Sequence, residues 1–408
     1  MNVNALRWIG LSAAAALSAG CGWFSDDSDY EVRSGGGTTP PTGSNPPRDT
    51  EMDDEVPPPD AGVPDAPMPS IATHLLVTGS DYTNGEIRSF DLANYSFGPS
   101  LAVHSDAGAW VFEGQKWVVN RRGRDSFQGF GLTNNSPTTP EIFLPAGSNP
   151  QSVLVRGGYA YLPLYETSEV VKYDVAAEMP VDWYNLIPYT VDDGDRNARP
   201  SPSHFADDSH ALFGDQDLPT DLWNSPTSSY TAPAKLVVLN TDTGELEEEA
   251  IELPFSNVVS ITSDPDDADI IYASCSGTYD TSDDRGGVAK VRFSERRVIG
   301  TITDNALAGT PGPIAAGAGR VFAVVSTNFA SLRVVSVGVD LLAAGVQEIC
   351  ASNGWIPKIV WGDGRVWVAD QDPETPGLYH LSADGSKQSR PYTVEGGLPF
   401  IDLTPYRE

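Results

Sequence analysis

The side chains of this chain that could do chemistry are mostly carboxylates. It carries 56 Asp and Glu against 25 Lys and Arg. Its histidines, His74, His104, His204, His210 and His380, show no H-x-H or H-x-x-x-H spacing that would bring two imidazoles to one metal. His204, followed by Asp207 and Asp208, is the best single candidate for a metal ligand or a base and is expected at the entrance of a central channel; a solvated or strand-capping histidine is the plainer account. The runs "DPDDAD" (264–269), "NTDTGE" (240–245) and "DDGD" (192–195) resemble calcium ligands in composition but fail the EF-hand order. The first two also fall at hairpin turns, where Asp and Gly serve the backbone. There is no G-x-S-x-G elbow and no G-x-x-x-x-G-K phosphate loop. A metal-dependent hydrolase would need converging carboxylates and amides, and Asn149, His204 and Asn257 are the hints of one.

Those groups are held by one pattern repeated along the chain. A strand recurs as "THLLVTG" (73–79), "GQKWVVN" (114–120), "GYAYLPL" (158–164), "SHALFGD" (209–215), "DIIYASC" (269–275), "GRVFAVV" (319–325) and "GRVWVAD" (364–370). Its fourth position is Leu76, Trp117, Tyr161, Leu212, Tyr272, Phe322 and Trp367, at spacings of 41 to 60 residues. A large apolar residue at one phase of a short run bounded by turn residues marks a buried middle strand. A third strand follows each copy, and a strand precedes every copy except the first. The segment "LPFIDL" (398–403) has the phase of the missing one. A ring of sheets lets that last strand complete the first sheet and removes an open edge. The expected fold is therefore all-β, a seven-bladed β-propeller over residues 71–408 with about 48 residues per blade.

In such a blade, the connections from second to third strand and from outer strand to the next blade share one face. The long connections, 179–204, 215–233, 275–286 and 370–376, all belong to it, so function is expected there, weighted toward blades three to five. Trp183, Trp223 and Tyr230 in these loops suit a binding surface. Five residues beyond the aromatic phase lie Asp81, Arg122, Glu166, Asp217, Gly277, Thr327 and Asp372, of which four are carboxylates. Asp215 and Asp370 repeat the acid two residues earlier in the matching "DQD" of blades four and seven. Equivalent positions form a circle, so an acidic ring is expected; Asp215 and Asp370, and separately His204, are the metal-ligand candidates. A bound cation such as Ca2+, or a basic partner, would relieve the ring's repulsion. Acids scattered over solvated strand ends would read the same way in sequence.

"SITSDPDDADIIYAS" (260–274) and "VVLNTDTGELEE" (237–248) resemble the repeats of YVTN-type β-propellers. The resemblance covers residues 71–408 and implies the propeller fold. Such propellers include lactonase-like enzymes, quinoprotein-like domains and many ligand or protein binders, and no catalytic residue of theirs can be matched here.

The first residues read as an export signal: Arg7 precedes "WIGLSAAAALSAG" (8–20), which is apolar but too short to span a bilayer. "LSAGC" (17–21) resembles the lipobox of bacterial lipoproteins, which implies cleavage after residue 20 and lipid on Cys21. Gly22 rather than Asp follows, which favours the outer membrane. Residues 21–70 are rich in Pro, Gly and acid and lack apolar periodicity, a disordered tether spanning roughly 40 Å. The domain beyond it has 45 acidic and 22 basic residues, a net charge of −23 that excludes nucleic acid and electrostatic docking on anionic lipid. Cys275 and Cys350 remain as a pair for a disulfide, but the repeats place them in different blades. The expectation is a monomeric outer-membrane lipoprotein, held by acyl chains at Cys21, that binds a protein or glycan through its loop face without catalysis. The alternative is a lactonase-like metal hydrolase acting at the central channel.

Overall fold

The computed structural model describes residues 72–190, 198–216, 232–277, 284–327, 331–382 and 391–408. Seven antiparallel sheets follow one another along the chain as the blades of a seven-bladed propeller. The second strands are His74–Ser80, Gln115–Asn120, Tyr159–Leu164, His210–Asp215, Ile270–Cys275, Arg320–Ser326 and Arg365–Asp370, the elements in which the repeat was legible. Each is buried over almost its whole length. The reason is that alternate side chains face opposite neighbours. In blade 1, Leu76 and Ile87 pack toward blade 2, whereas Leu75, Val77 and Phe90 pack toward blade 7. Among the described residues the core is accordingly divided into seven clusters, each lying between two neighbouring blades.

The ring closes as expected. Phe400–Tyr406 runs antiparallel to His74–Ser80 as the inner strand of blade 1, from Gly79↔Phe400 to His74↔Tyr406. It begins two residues later than "LPFIDL" and runs three residues further, through Pro405. Proline is tolerated there because the innermost strand is an edge whose outward N–H groups need no ladder partner. Phe400, Leu403 and Tyr406 are buried by the closure.

Inner strands join second strands through two-residue hairpins at Glu113–Gly114, Gly157–Gly158, Ala318–Gly319 and Asp363–Gly364. Both residues of each turn have positive φ, the type I′ geometry that matches strand twist. These short turns occupy the face opposite the long loops. Cys275 is fully buried in blade 5 and Cys350 lies on the outer strand Gln347–Ser352 of blade 6, with no disulfide between them. Burial pushes the Cys275 thiol far up, so it is inert. No helix among the described residues is long and apolar enough to cross a membrane.

Candidate functional site

The loop face is built from aspartates that tie down their own loops. Asp81 Oδ1 accepts from the N–H groups of Thr83 (2.8 Å) and Asn84 (2.6 Å). These bonds, that of Asn84 first, hold its carboxyl below the usual range. Asp372 Oδ1 takes the N–H groups of Glu374 (2.8 Å) and Thr375 (3.1 Å), and its Oδ2 that of Asn353 (3.2 Å). Asp370 accepts from the Ser352 hydroxyl at 2.6 Å and from the Asp372 N–H at 2.9 Å. Asp125 receives the N–H groups of Gly147 (2.7 Å) and Asn149 (2.9 Å).

Of the expected ring, the described positions 81, 122, 166, 277, 327 and 372 follow the ends of their second strands by one or two residues, but their chemistry is local. Glu166 is exposed and accepts from Asn149 Nδ2 at 3.2 Å, while the exposed Arg122 gives its backbone N–H to Asn149 Oδ1 at 3.4 Å. Gly277 has φ +60°, and Thr327 is exposed. Asp217, Trp223 and Tyr230 lie outside the described residues, as do the "DDGD" acids and Cys21.

Asn149 and Asn257 have backbone roles. Both stand just ahead of an inner strand at positive φ, 50° and 63°, where asparagine is favoured among non-glycine residues. Asn149 Oδ1 also accepts from Gln151 at 2.9 Å, and Asn257 donates to Ser276 Oγ at 2.5 Å.

His204 lies within the inner strand Ser203–Phe205 of blade 4 rather than at its loop-face start. Its Nε2 is 2.6 Å from Ser263 Oγ, the last residue of the next inner strand, so the ring packs against the hairpin end of that strand. Burial, helped by the charge of Lys358, pushes its imidazole down to about 4, leaving it neutral at ordinary pH. Asp215 and Asp370 end the second strands of blades 4 and 7. Among the described residues, no three His, Cys, Asp or Glu side chains are grouped to hold a metal ion.

The loop face also contains a cavity that sequence reading missed. About 460 Å³ opens between blades 1 and 2, walled on one side by Thr83, Asn84 and the connection 102–105, and on the other by Asn120, Arg124, Gln128, Phe130 and Glu141. Gly85 makes its inner corner possible, because an added Cβ would stand 2.1 Å from the carbonyl oxygen of His104. Glu141 organises the blade 2 wall. Its carboxylate accepts from Arg124 Nε (2.6 Å) and Nη2 (2.5 Å), from Ser126 Oγ (2.6 Å) and from Asn120 Nδ2 (3.1 Å). The Arg124 guanidinium foremost holds this carboxyl below the usual range. Asn120 is only 7% exposed, and its Oδ1 has no donor. The available signal was that Gln128 is polar at a position where the matching strands carry Val171, Val237 and Ala289.

No protein-family model matches the chain, and no curated protein sequence matches it significantly. Its fold is shared by solved propellers. A "putative 6-phosphogluconolactonase" from Bacteroides uniformis has TM-score 0.57 and 12% identity, with 82% of this chain and 99% of that one covered. Another of that description, from Bacteroides fragilis, has TM-score 0.56 and 13% identity over 83% of this chain and 99% of its own. The beta-propeller domain of Cps50 (Swd1) from Myceliophteria thermophila has TM-score 0.52 and 10% identity over 74% and 95%. At such identities the likeness defines the architecture, and activity has to be argued from this chain's own residues.

Proposed function

We propose that this protein is an outer-membrane lipoprotein, acylated at Cys21, whose propeller binds a protein or glycan partner through its loop face without catalysing a reaction. The observation that carries the binding role is the pinning of that face. Asp81, Asp125, Asp370 and Asp372 each spend their carboxylate on backbone N–H groups of loops. Loops fixed before an encounter lose little entropy when a partner docks, which is how a rigid scaffold presents a recognition surface. The export signal, the lipobox-like "LSAGC" and the Pro-rich stretch 21–70 support an anchored, outward-reaching domain.

Two experiments test this reading. Replacing Cys21 with Ser should release a soluble protein, and persistence in membranes after a high-salt wash would contradict acyl anchoring. Crosslinking in the native envelope should trap a partner on loop-face peptides; crosslinks confined to the hairpin face would contradict the assignment.

One observation favours a second reading, a hydrolase acting at the channel. His204 is kept neutral there, as a metal ligand or base must be, in a fold shared with the proteins described as lactonases. Elemental analysis of the purified protein and lactone hydrolysis by wild type and His204→Gln would decide it. Stoichiometric metal with His204-dependent turnover would replace the binding role.

A further inference from the structure

We propose that the cavity between blades 1 and 2 binds a neutral saccharide of one or two rings, an inference that rests on the binding role above and narrows its partner class. The volume of about 460 Å³ lies within the range of sites for small organic ligands, about 300–1,000 Å³. Its wall is electrically balanced, because the carboxylate of Glu141 is paired with Arg124 at 2.5 Å. An anion would meet Glu141 within a domain of net charge −23, and a cation would have to displace Arg124 from its partner. A neutral ligand meets neither cost.

The remaining chemistry is that of a polyol. Asn120 Oδ1 lacks a donor in the protein, and a ligand hydroxyl can supply one. Thr83, Asn84 and Gln128 add neutral hydrogen-bonding groups along the same cavity. Between them, Val103 and Phe130 offer apolar surface against which the C–H face of a sugar ring can lie. The polar wall is also set in advance. Glu141 holds Asn120, Arg124 and Ser126 at once, so the groups that would bond a ligand are ordered before it arrives. The cavity opens on the loop face, so a ring bound there can be the end of a longer glycan chain.

The test is calorimetric titration of the mature protein with neutral monosaccharides and disaccharides, each paired with its sugar-acid counterpart, and with a neutral polysaccharide. Ala102 is exposed and lines the cavity, so Ala102→Trp plugs the space without touching the polar network. At least one neutral saccharide should bind wild type. Ala102→Trp should abolish that binding while melting like wild type, and Asn120→Ala should weaken it about tenfold. Binding of the short sugars locates the determinant in one or two rings, whereas binding of the polysaccharide alone would overturn the proposed size. No saccharide binding at tens of millimolar, binding unchanged by Ala102→Trp, or tighter binding of the sugar acids would each overturn the proposal. If saccharides fail but envelope crosslinking still traps a partner on the loop face, this inference falls and the binding role stands. If both fail, both fall.

Discussion

At the seam between blades 7 and 1, aromatic rings fill the space between sheets, whereas at the seam between blades 1 and 2 the sheets part around a polar cavity. Phe90 meets Trp367 at 5.5 Å between ring centroids, Phe97 meets Phe400 at 5.5 Å, and Tyr95 stacks on Tyr392 at 5.2 Å. The other flank of blade 1 buries mainly aliphatic groups such as Leu76, Ile87 and Val118, and leaves about 460 Å³ open toward the loop face. Blade 1 is the only one assembled from both ends of the described chain. Its clasped flank must hold the ring shut, and its other flank is relieved of that task. Close packing stabilises, and a gap lined by polar groups forgoes some of that stability for recognition.

The sharpest way to break this contrast is to remove the clasp. Deleting residues 398–408 exposes the face that Phe400, Leu403 and Tyr406 cover and leaves His74–Ser80 paired only with Gly85–Asp91. At roughly 1.5–3 kcal/mol per buried side chain, the loss should exceed about 5 kcal/mol. The truncated chain should melt far below the full-length protein or fail to fold, and a melt within a degree or two would refute the closure. Trp367→Ala at the same seam removes a fully buried ring whose Nε1 donates to the Gly362 carbonyl. It should cost about 3–5 kcal/mol in chemical denaturation without weakening saccharide binding.

A titration sharpens the account away from either seam. His204 titrates near 4 in the fold against an ordinary value of 6.5. Between those values the unfolded chain holds a proton that the native protein does not, so stability rises with pH through that window. The share of the slope from His204 should reach at most about 1.4 kcal/mol per pH unit, with its contribution complete above pH 6.5. Melting across this window should show the slope, and His204→Gln should remove that share, leaving the one from His380, whose imidazole is also pushed down by burial. Smallest in stability is Arg124→Met at the open seam. The Arg124 side chain is 48% exposed, so its ion pair with Glu141 should be worth no more than about 1 kcal/mol. Saccharide affinity should fall by much more than the melting temperature suggests.

The fold was legible because each second strand is buried on both faces and repeats a large apolar residue at one phase. The closing strand was legible for the same reason, since the first copy lacked a predecessor and "LPFIDL" lacked a blade. The site was not. Asp81 and Asp372 align as a ring in sequence, but an aspartate that caps its own loop and one that binds a cation have the same spacing. The cavity was hidden differently. Asn84 and Glu141 are far apart in the chain and share a wall space only once blades 1 and 2 are placed side by side. Placing that wall also required knowing how outer strands register, and those are the least regular elements of the blades.

The contrast between the two flanks of blade 1 is tested most directly by hydrogen exchange with and without the neutral saccharide that binds. Peptides covering 83–105 and 118–141 should gain protection, while those covering 365–381 should exchange at the same rate in both states. Protection appearing at the seam of blades 7 and 1 instead, or at neither seam despite measurable binding, would contradict the account.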